Sequence, residues 1–242
     1  MPAPVAVLGA TGATGEALAR RLAAAGTPVF LIARDEAKVE DLARELHAGY
    51  AVADALDEPA LGAAVERAGE GEGLAGLAYC IGSIVLKPLA KTTAADFEQA
   101  WRLNVLGAAL AVKAAAPALA QANGAVVLFS SVAARSGFPA HAAIGSAKAA
   151  VEGLVASLAA ELAPRVRINA VAPSLSDTAM AQPLIGTEAM AKGIAALHPI
   201  PRLGTADDLA AAAAWLLGPE SGWVTGQVLA VDGGRGVVAA KR

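Results

Sequence analysis

The sequence predicts an α/β fold, a doubly wound parallel sheet of about seven strands with helices on both faces. Three observations carry this. Short aliphatic runs alternate with longer helical patterns along all 242 residues. The strand runs are apolar throughout instead of alternating, as strands covered on both faces are. The first run also leads straight through a glycine-rich turn into a helix, and right-handed crossovers then wind such units into one sheet.

Taken in order, strands are expected at 5–8, 29–33, 50–53, 74–80, 125–129, 167–170 and 228–231. The first helix is read over 16–25. Val39, Leu42, Ala43 and Leu46 recur at helical spacing, and so do Leu154, Leu158 and Leu162. Neither a repeat nor a linker interrupts this alternation, so residues 1–242 read as one domain. The least periodic stretch, 174–201, reads as a long loop with one short helix, a lid over a site.

Composition narrows the function. The chain is 56% hydrophobic, 17% charged and 4% aromatic, which excludes intrinsic disorder. The longest apolar stretches are broken by Lys113 and Pro117, by Ser130 and Ser131, and by Gly218-Pro219. On that count none reaches the roughly 18 unbroken apolar residues of a membrane span. Nineteen Lys and Arg against 22 Asp and Glu leave a net charge of −3 without a basic block, so no nucleic-acid partner is expected. The start lacks a positively charged leader, and the expected location is cytoplasmic. One cysteine, Cys80, and three scattered histidines suggest neither a disulfide nor a metal site.

The glycine-rich turn is Gly9-Ala10-Thr11-Gly12-Ala13-Thr14-Gly15. Small residues at a strand–helix junction let the backbone approach a pyrophosphate, whose charge the helix N-terminus favours. A loop also uses glycine simply to turn, so position in the first unit supplies much of the weight. At the end of the second strand, a carboxylate would bind a free adenosine ribose and repel a 2′-phosphate. Here Ala33 and Arg34 stand instead, and Arg34 suits the phosphate. Its bland alternative is an exposed arginine paired with Asp35 or Glu36. Asp54, past the third strand, either accepts from an adenine amine or caps the next helix.

Further motifs add a resemblance. They are Trp101-Arg102-Leu103-Asn104-Val105, Leu128-Phe129-Ser130-Ser131-Val132 and Ser146-Ala147-Lys148-Ala149-Ala150-Val151. Asn169-Ala170-Val171-Ala172-Pro173 with Thr178, Pro201-Arg202-Leu203-Gly204, Val224-Thr225-Gly226-Gln227 and Val231-Asp232-Gly233-Gly234 follow in order. Together they resemble the short-chain dehydrogenase/reductase family over nearly the whole chain. The resemblance implies a Rossmann-type fold, a nicotinamide dinucleotide cofactor and a small-molecule substrate. It also implies self-association, as a homotetramer or dimer, through two long alanine-rich helices, here at 105–122 and 147–163. With Arg34, the cofactor expected is NADP(H) in preference to NAD(H). Gly82, Pro173 and Thr178 join Lys148 and the glycine turn as implied cofactor contacts.

The family's chemistry uses a serine, a tyrosine, a lysine and an asparagine. Ser131, Lys148 and Asn104 match, although a strand-end serine also bonds local backbone. The tyrosine position, four residues before the lysine, is Ile144, which can be neither acid nor base. The sequence also departs at Tyr79-Cys80-Ile81-Gly82, at Ser174 where the family carries glycine, and at Leu8. An enoyl-thioester reductase subgroup carries its tyrosine seven residues before the lysine, and that position is His141. It shares a helix face with Lys148 about 10 Å along the axis. Near a helix start, a neutral His141 would donate one hydrogen bond to an enolate-like oxygen; alternatively it does nothing. His198 reads as a surface residue of the lid, and Cys80 as a small apolar neighbour of the adenine. Three readings follow: an NADP(H)-dependent carbonyl or alcohol oxidoreductase working without the tyrosine, an activated-alkene reductase using His141, and a non-redox dinucleotide-binding protein.

Overall fold

The computed structural model describes residues 2–238. Seven parallel strands form one sheet: β1 (Val5–Leu8), β2 (Val29–Ala33), β3 (Gly49–Val52), β4 (Gly76–Tyr79), β5 (Ala125–Phe129), β6 (Arg167–Pro173) and β7 (Val228–Val231). Their order is β3-β2-β1-β4-β5-β6-β7, with Val5 in register with Val29 on one side and Gly76 on the other. The chain therefore winds outward from β1 to one edge, returns beside β1, and winds to the other edge. The reversal between β1 and β4 opens a crevice at their carboxyl ends, the place where such sheets bind ligands.

The central strands are buried on both faces, which is why their residues are apolar at consecutive positions. One core layer lies under α1 (Ala13–Ala24), α2 (Glu36–Leu46) and the late helix 206–217. The other lies under α3 (Glu58–Ala68), α4 (Ala94–Trp101), α5 (Gly107–Ala122) and α6 (Ala142–Leu162). Caps set the starts: Asp35 accepts from the Lys38 N–H, Asp57 from that of Ala60, and Thr93 forms a reciprocal box with Asp96.

The structure moves several expected boundaries. The first helix starts at Ala13, three residues early, so Gly15 lies inside its first turn. Leu74 donates its N–H to the Ala118 carbonyl of α5, outside the sheet, and β4 begins only at Gly76. Strand β6 runs on to Pro173. Helix α5 continues through Pro117, and a five-residue π segment, 102–106, joins it to α4. The stretch 94–122 and α6 are thereby long and apolar enough to cross a membrane by length and composition, contrary to the count of unbroken runs. Both are layer helices whose inner faces belong to the core. The stretch 174–201 holds two short helices, not one: α7 (Gln182–Ile185) and α8 (Glu188–Ala195), the second capped by Thr187. The remaining late helix is α9 (Ala206–Leu217).

Candidate active site

A cavity of about 650 Å³ opens over the carboxyl ends of β1, β4, β5 and β6. At one end stands the start of α1. Gly9 turns the chain at φ +75°, in the left-handed region that favours glycine. A Cβ on Gly15 would collide with the Gly9 carbonyl, so the turn closes only because both are glycine. Gly12 occupies the N-cap and offers no side chain, which leaves the first N–H groups of α1 uncapped beside the cavity. Gly12, Ala13 and Thr14 line it; Gly9 and Thr11 shape the turn from behind.

Arg34 and Asp54 lie apart from this lining. Arg34 is mostly exposed and pairs with Asp54 at 3.6 Å, not with its neighbours Asp35 or Glu36. Asp35 is engaged as a helix cap and with Lys38. Asp54 accepts from the Leu56 N–H at 2.9 Å, so capping of α3 falls to Asp57 and not to Asp54.

Lys148, Ile144 and His141 face the same cavity from α6 and its start. Lys148 is 8% exposed, and its Nζ donates to the Phe129 carbonyl at 2.7 Å. Burial pulls its pKa down to about 8. A Cβ on Gly82 would stand 3.4 Å from Lys148 Nζ and 3.1 Å from Asn104 Oδ1, so the glycine keeps this wall open. Asn104 sits in the π segment, donates to the Ala100 carbonyl at 2.8 Å, and leaves Oδ1 buried without a partner. Such an orphaned acceptor, beside a buried ammonium, fits a bound water or ligand hydroxyl. Ser131 lines the cavity and accepts from the Ala133 N–H at 3.1 Å; its own proton stays available. Ser130 also lines the cavity; its hydroxyl donates to Glu152 Oε1 at 3.0 Å, and Glu152 in turn pairs with Arg135.

Two expectations about histidine change. His141 Nδ1 lies 2.8 Å from the Pro139 carbonyl. A carbonyl only accepts, so that nitrogen carries the proton and Nε2 of the neutral ring is an acceptor. The donation expected of a neutral His141 is already spent on backbone. His198, expected on the surface, is 4% exposed and lines the cavity. Its Nδ1 lies 2.9 Å from the Ile194 carbonyl and its Nε2 2.9 Å from Ser174 Oγ. Sequence reasoning missed this pair because only tertiary packing buries His198; the departure at Ser174 was its one visible sign. Pro173 and Thr178 also line the cavity. Cys80 does too, and burial pushes its thiol up to about 12. Neither tyrosine reaches the cavity. Tyr79 points into the core and donates to the Leu103 carbonyl at 2.7 Å.

Residues 9–235 match the family model described as enoyl-(acyl carrier protein) reductase. The chain is 39% identical over 226 residues to inactive 2-(S)-hydroxypropyl-CoM dehydrogenase 2 of Xanthobacter autotrophicus, covering 90% of this chain and 98% of that relative. A short-chain type dehydrogenase/reductase from Mycobacterium ulcerans superposes with a TM-score of 0.91 at 29% identity, covering 98% and 90% of the two chains. A gluconate 5-dehydrogenase from Burkholderia cenocepacia J2315, solved with NADP and tartrate, gives 0.91 at 26% identity, covering 99% and 97%. With this sheet order, glycine turn and cavity, the chain belongs to the short-chain dehydrogenase/reductase family, oxidoreductases that bind nicotinamide dinucleotides.

Proposed function

We propose that the protein is an NADP(H)-dependent oxidoreductase acting on a small carbonyl or alcohol. The observation that carries this reading is one cavity onto which both the uncapped start of α1 and the Lys148–Ser131 wall open. When bound, the nicotinamide supplies or accepts the hydride. The rest falls to this chain's residues. The N–H groups at Ala13 and Thr14 hold the pyrophosphate, while Gly12 donates its N–H to the Gly9 carbonyl and, with Gly9, Thr11 and Gly15, fixes the turn. Arg34 swings from Asp54 to a 2′-phosphate, and Asp54 then accepts from the adenine amine. Lys148 binds ribose hydroxyls beside Gly82, and Asn104 Oδ1 orders a water behind it. Pro173 and Thr178 bound the nicotinamide side. Ser131 donates its free proton to the substrate oxygen.

Residues 1–242 act as one domain in this reading, and 174–201 works as the lid, since its side chains already form one wall. Self-association as a homotetramer or dimer and a cytoplasmic location complete it. A second reading, dinucleotide binding without turnover, draws on Ile144 at the tyrosine position and on the relative whose name marks it inactive. The activated-alkene reading requires a charged His141, because the neutral ring has its proton on Pro139.

Calorimetric titration with NADPH and NADH, followed by a panel of carbonyl and enoyl substrates, tests the proposal. NADPH binds more tightly, and the double change Ala33→Asp with Arg34→Leu reverses the preference. Equal affinity for the two overturns the role of Arg34. Tight binding with no turnover on any substrate leaves the non-redox reading.

A further inference from the structure

Ile144 removes the side chain that would exchange a proton with the substrate oxygen, yet a different proton-handling pair faces the same cavity. Ser174 Oγ and His198 Nε2 are 2.9 Å apart, and both residues line the wall formed by the end of β6 and the covering stretch. The tautomer is set by geometry. His198 Nδ1 lies 2.9 Å from the Ile194 carbonyl, which accepts only, so Nδ1 carries the ring proton. In the neutral ring Nε2 is then an acceptor, and the hydroxyl of Ser174 donates to it. A hydroxyl paired to a histidine whose far nitrogen is held by a third group is the arrangement that activates an O–H group. The ring is packed in place: His198 is 4% exposed, and a Cβ on Gly233 would lie 3.5 Å from its Cβ and Cδ2. Ser174 itself keeps partial access to the cavity. The pairing also joins the end of β6 to the segment after α8, so the pair is complete only when that segment lies over the site.

We infer that Ser174 and His198 form the proton relay of this enzyme, taking the substrate's hydroxyl proton in place of the absent phenol. The inference rests on the proposed oxidoreductase reading. In the oxidation direction the alcohol O–H bond breaks and its proton passes to Ser174 Oγ. The Ser174 proton passes at the same time to His198 Nε2, giving an imidazolium that still donates from Nδ1 to Ile194. The electron pair of the adjacent C–H bond leaves as hydride to the oxidised nicotinamide dinucleotide, and the C=O double bond forms. Reduction runs the same relay backwards, with the imidazolium as the source of the proton. Ser174 is the catalytic residue, since it touches the substrate oxygen; His198 acts through it as a positioning and proton-holding residue.

Two variants and two readouts test this. Ser174→Gly removes the hydroxyl, and His198→Gln keeps an amide near Ile194 but takes up no proton. Both are checked for an unchanged melting temperature. With NADP⁺ and a panel of secondary alcohols, isopropanol and cyclohexanol among them, each variant loses about 10²–10⁴-fold in kcat, the contribution of a positioned proton-transfer group. The calorimetric affinity for NADP⁺ stays within about twofold. A pair that merely pins the lid would instead raise KM and weaken cofactor binding with little change in kcat. Independently of turnover, ¹⁵N NMR of histidine-labelled protein reads the ring. The expected result is an Nδ1–H tautomer for His198 whose Nε2 resonance moves in Ser174→Gly. Full kcat in Ser174→Gly, or an Nε2–H tautomer, overturns the relay while leaving the oxidoreductase reading intact. Failure of the wild type to bind NADP(H) or to oxidise any alcohol or reduce any carbonyl overturns that reading, and the relay with it.

Discussion

Lys148 carries its charge at a cost that few residues of this chain bear. Its Nζ has a backbone carbonyl as its partner, and among the described residues no carboxylate forms an ion pair with it. Burial lowers its pKa from 10.5 to about 8. Between those values the unfolded chain holds a proton that the folded protein has released, so stability rises with pH across that window. Below about pH 8 both states are protonated, and the folded state bears the full cost of the enclosed ammonium. Lys148→Met is therefore expected to stabilise the unliganded protein at pH 7 by roughly 1–3 kcal/mol, less the lost hydrogen bond to Phe129. The gain should shrink toward pH 10. Denaturant unfolding at the two pH values checks it, and a variant less stable than wild type at pH 7 refutes it. A titratable group held against such a folding cost in a cavity wall is a candidate functional residue.

Among the elements, α1 shows how one strand–turn–helix unit builds a site from backbone alone. Its start sits directly on the turn after β1, so close that a Cβ on Gly15 would overlap the Gly9 carbonyl. Gly15→Ala gains the roughly 0.5–1 kcal/mol of helix propensity but must displace backbone, at about 1–3 kcal/mol. A net loss of stability is expected, together with weaker dinucleotide binding as the N–H groups of α1 turn away. Gly153, on the outer side of α6, has nothing within 4 Å of its Cβ position. Gly153→Ala should keep the propensity gain, raising the melting temperature where Gly15→Ala lowers it. Equal shifts in thermal unfolding would show that close approach at the glycine turn does not matter. Helix α5 carries another close contact, for Gly107 leaves room for the Tyr79 hydroxyl that bonds to Leu103.

Over the whole molecule, the accessible surface is 11779 Å², above the approximately 9,900 Å² that a monomer of 23.9 kDa exposes on average. Part of the excess is apolar. Phe97 and Trp101 on α4 and Leu106 in the π segment stand 39%, 48% and 42% exposed, on the outer side of the helix layer. The proposed self-association covers this face, since an uncovered aromatic patch on long apolar helices favours association. Light scattering at micromolar concentration should give at least twice 23.9 kDa, and Trp101→Glu should shift the species toward the monomer. A wild-type monomer under those conditions would refute the interface.

The seven strands, their parallel direction and the glycine turn were legible in the sequence because each follows from local pattern. A strand buried on both faces has to be apolar at every position, and a turn that admits two close backbones has to be glycine. The positions of Ser131, Lys148 and Asn104, and the loss of the tyrosine at Ile144, were legible as motif residues in family order. Boundaries moved in both directions because backbone partners, not the apolar pattern, end an element: the Leu74 N–H bonds to Ala118 outside the sheet and shortens β4, whereas β6 runs on to Pro173 and α6 begins at Ala142. Most hydrogen-bond partners, those remote in sequence above all, were not legible, although the local bond of Ser131 to backbone was. That Arg34 faces Asp54, that Pro139 occupies the proton of His141, and that His198 turns inward to Ser174 each join side chains or backbone through a particular chain path. Pattern along a sequence determines which face of an element is buried; only the folded chain decides which polar groups meet, because that depends on distances between elements remote from one another.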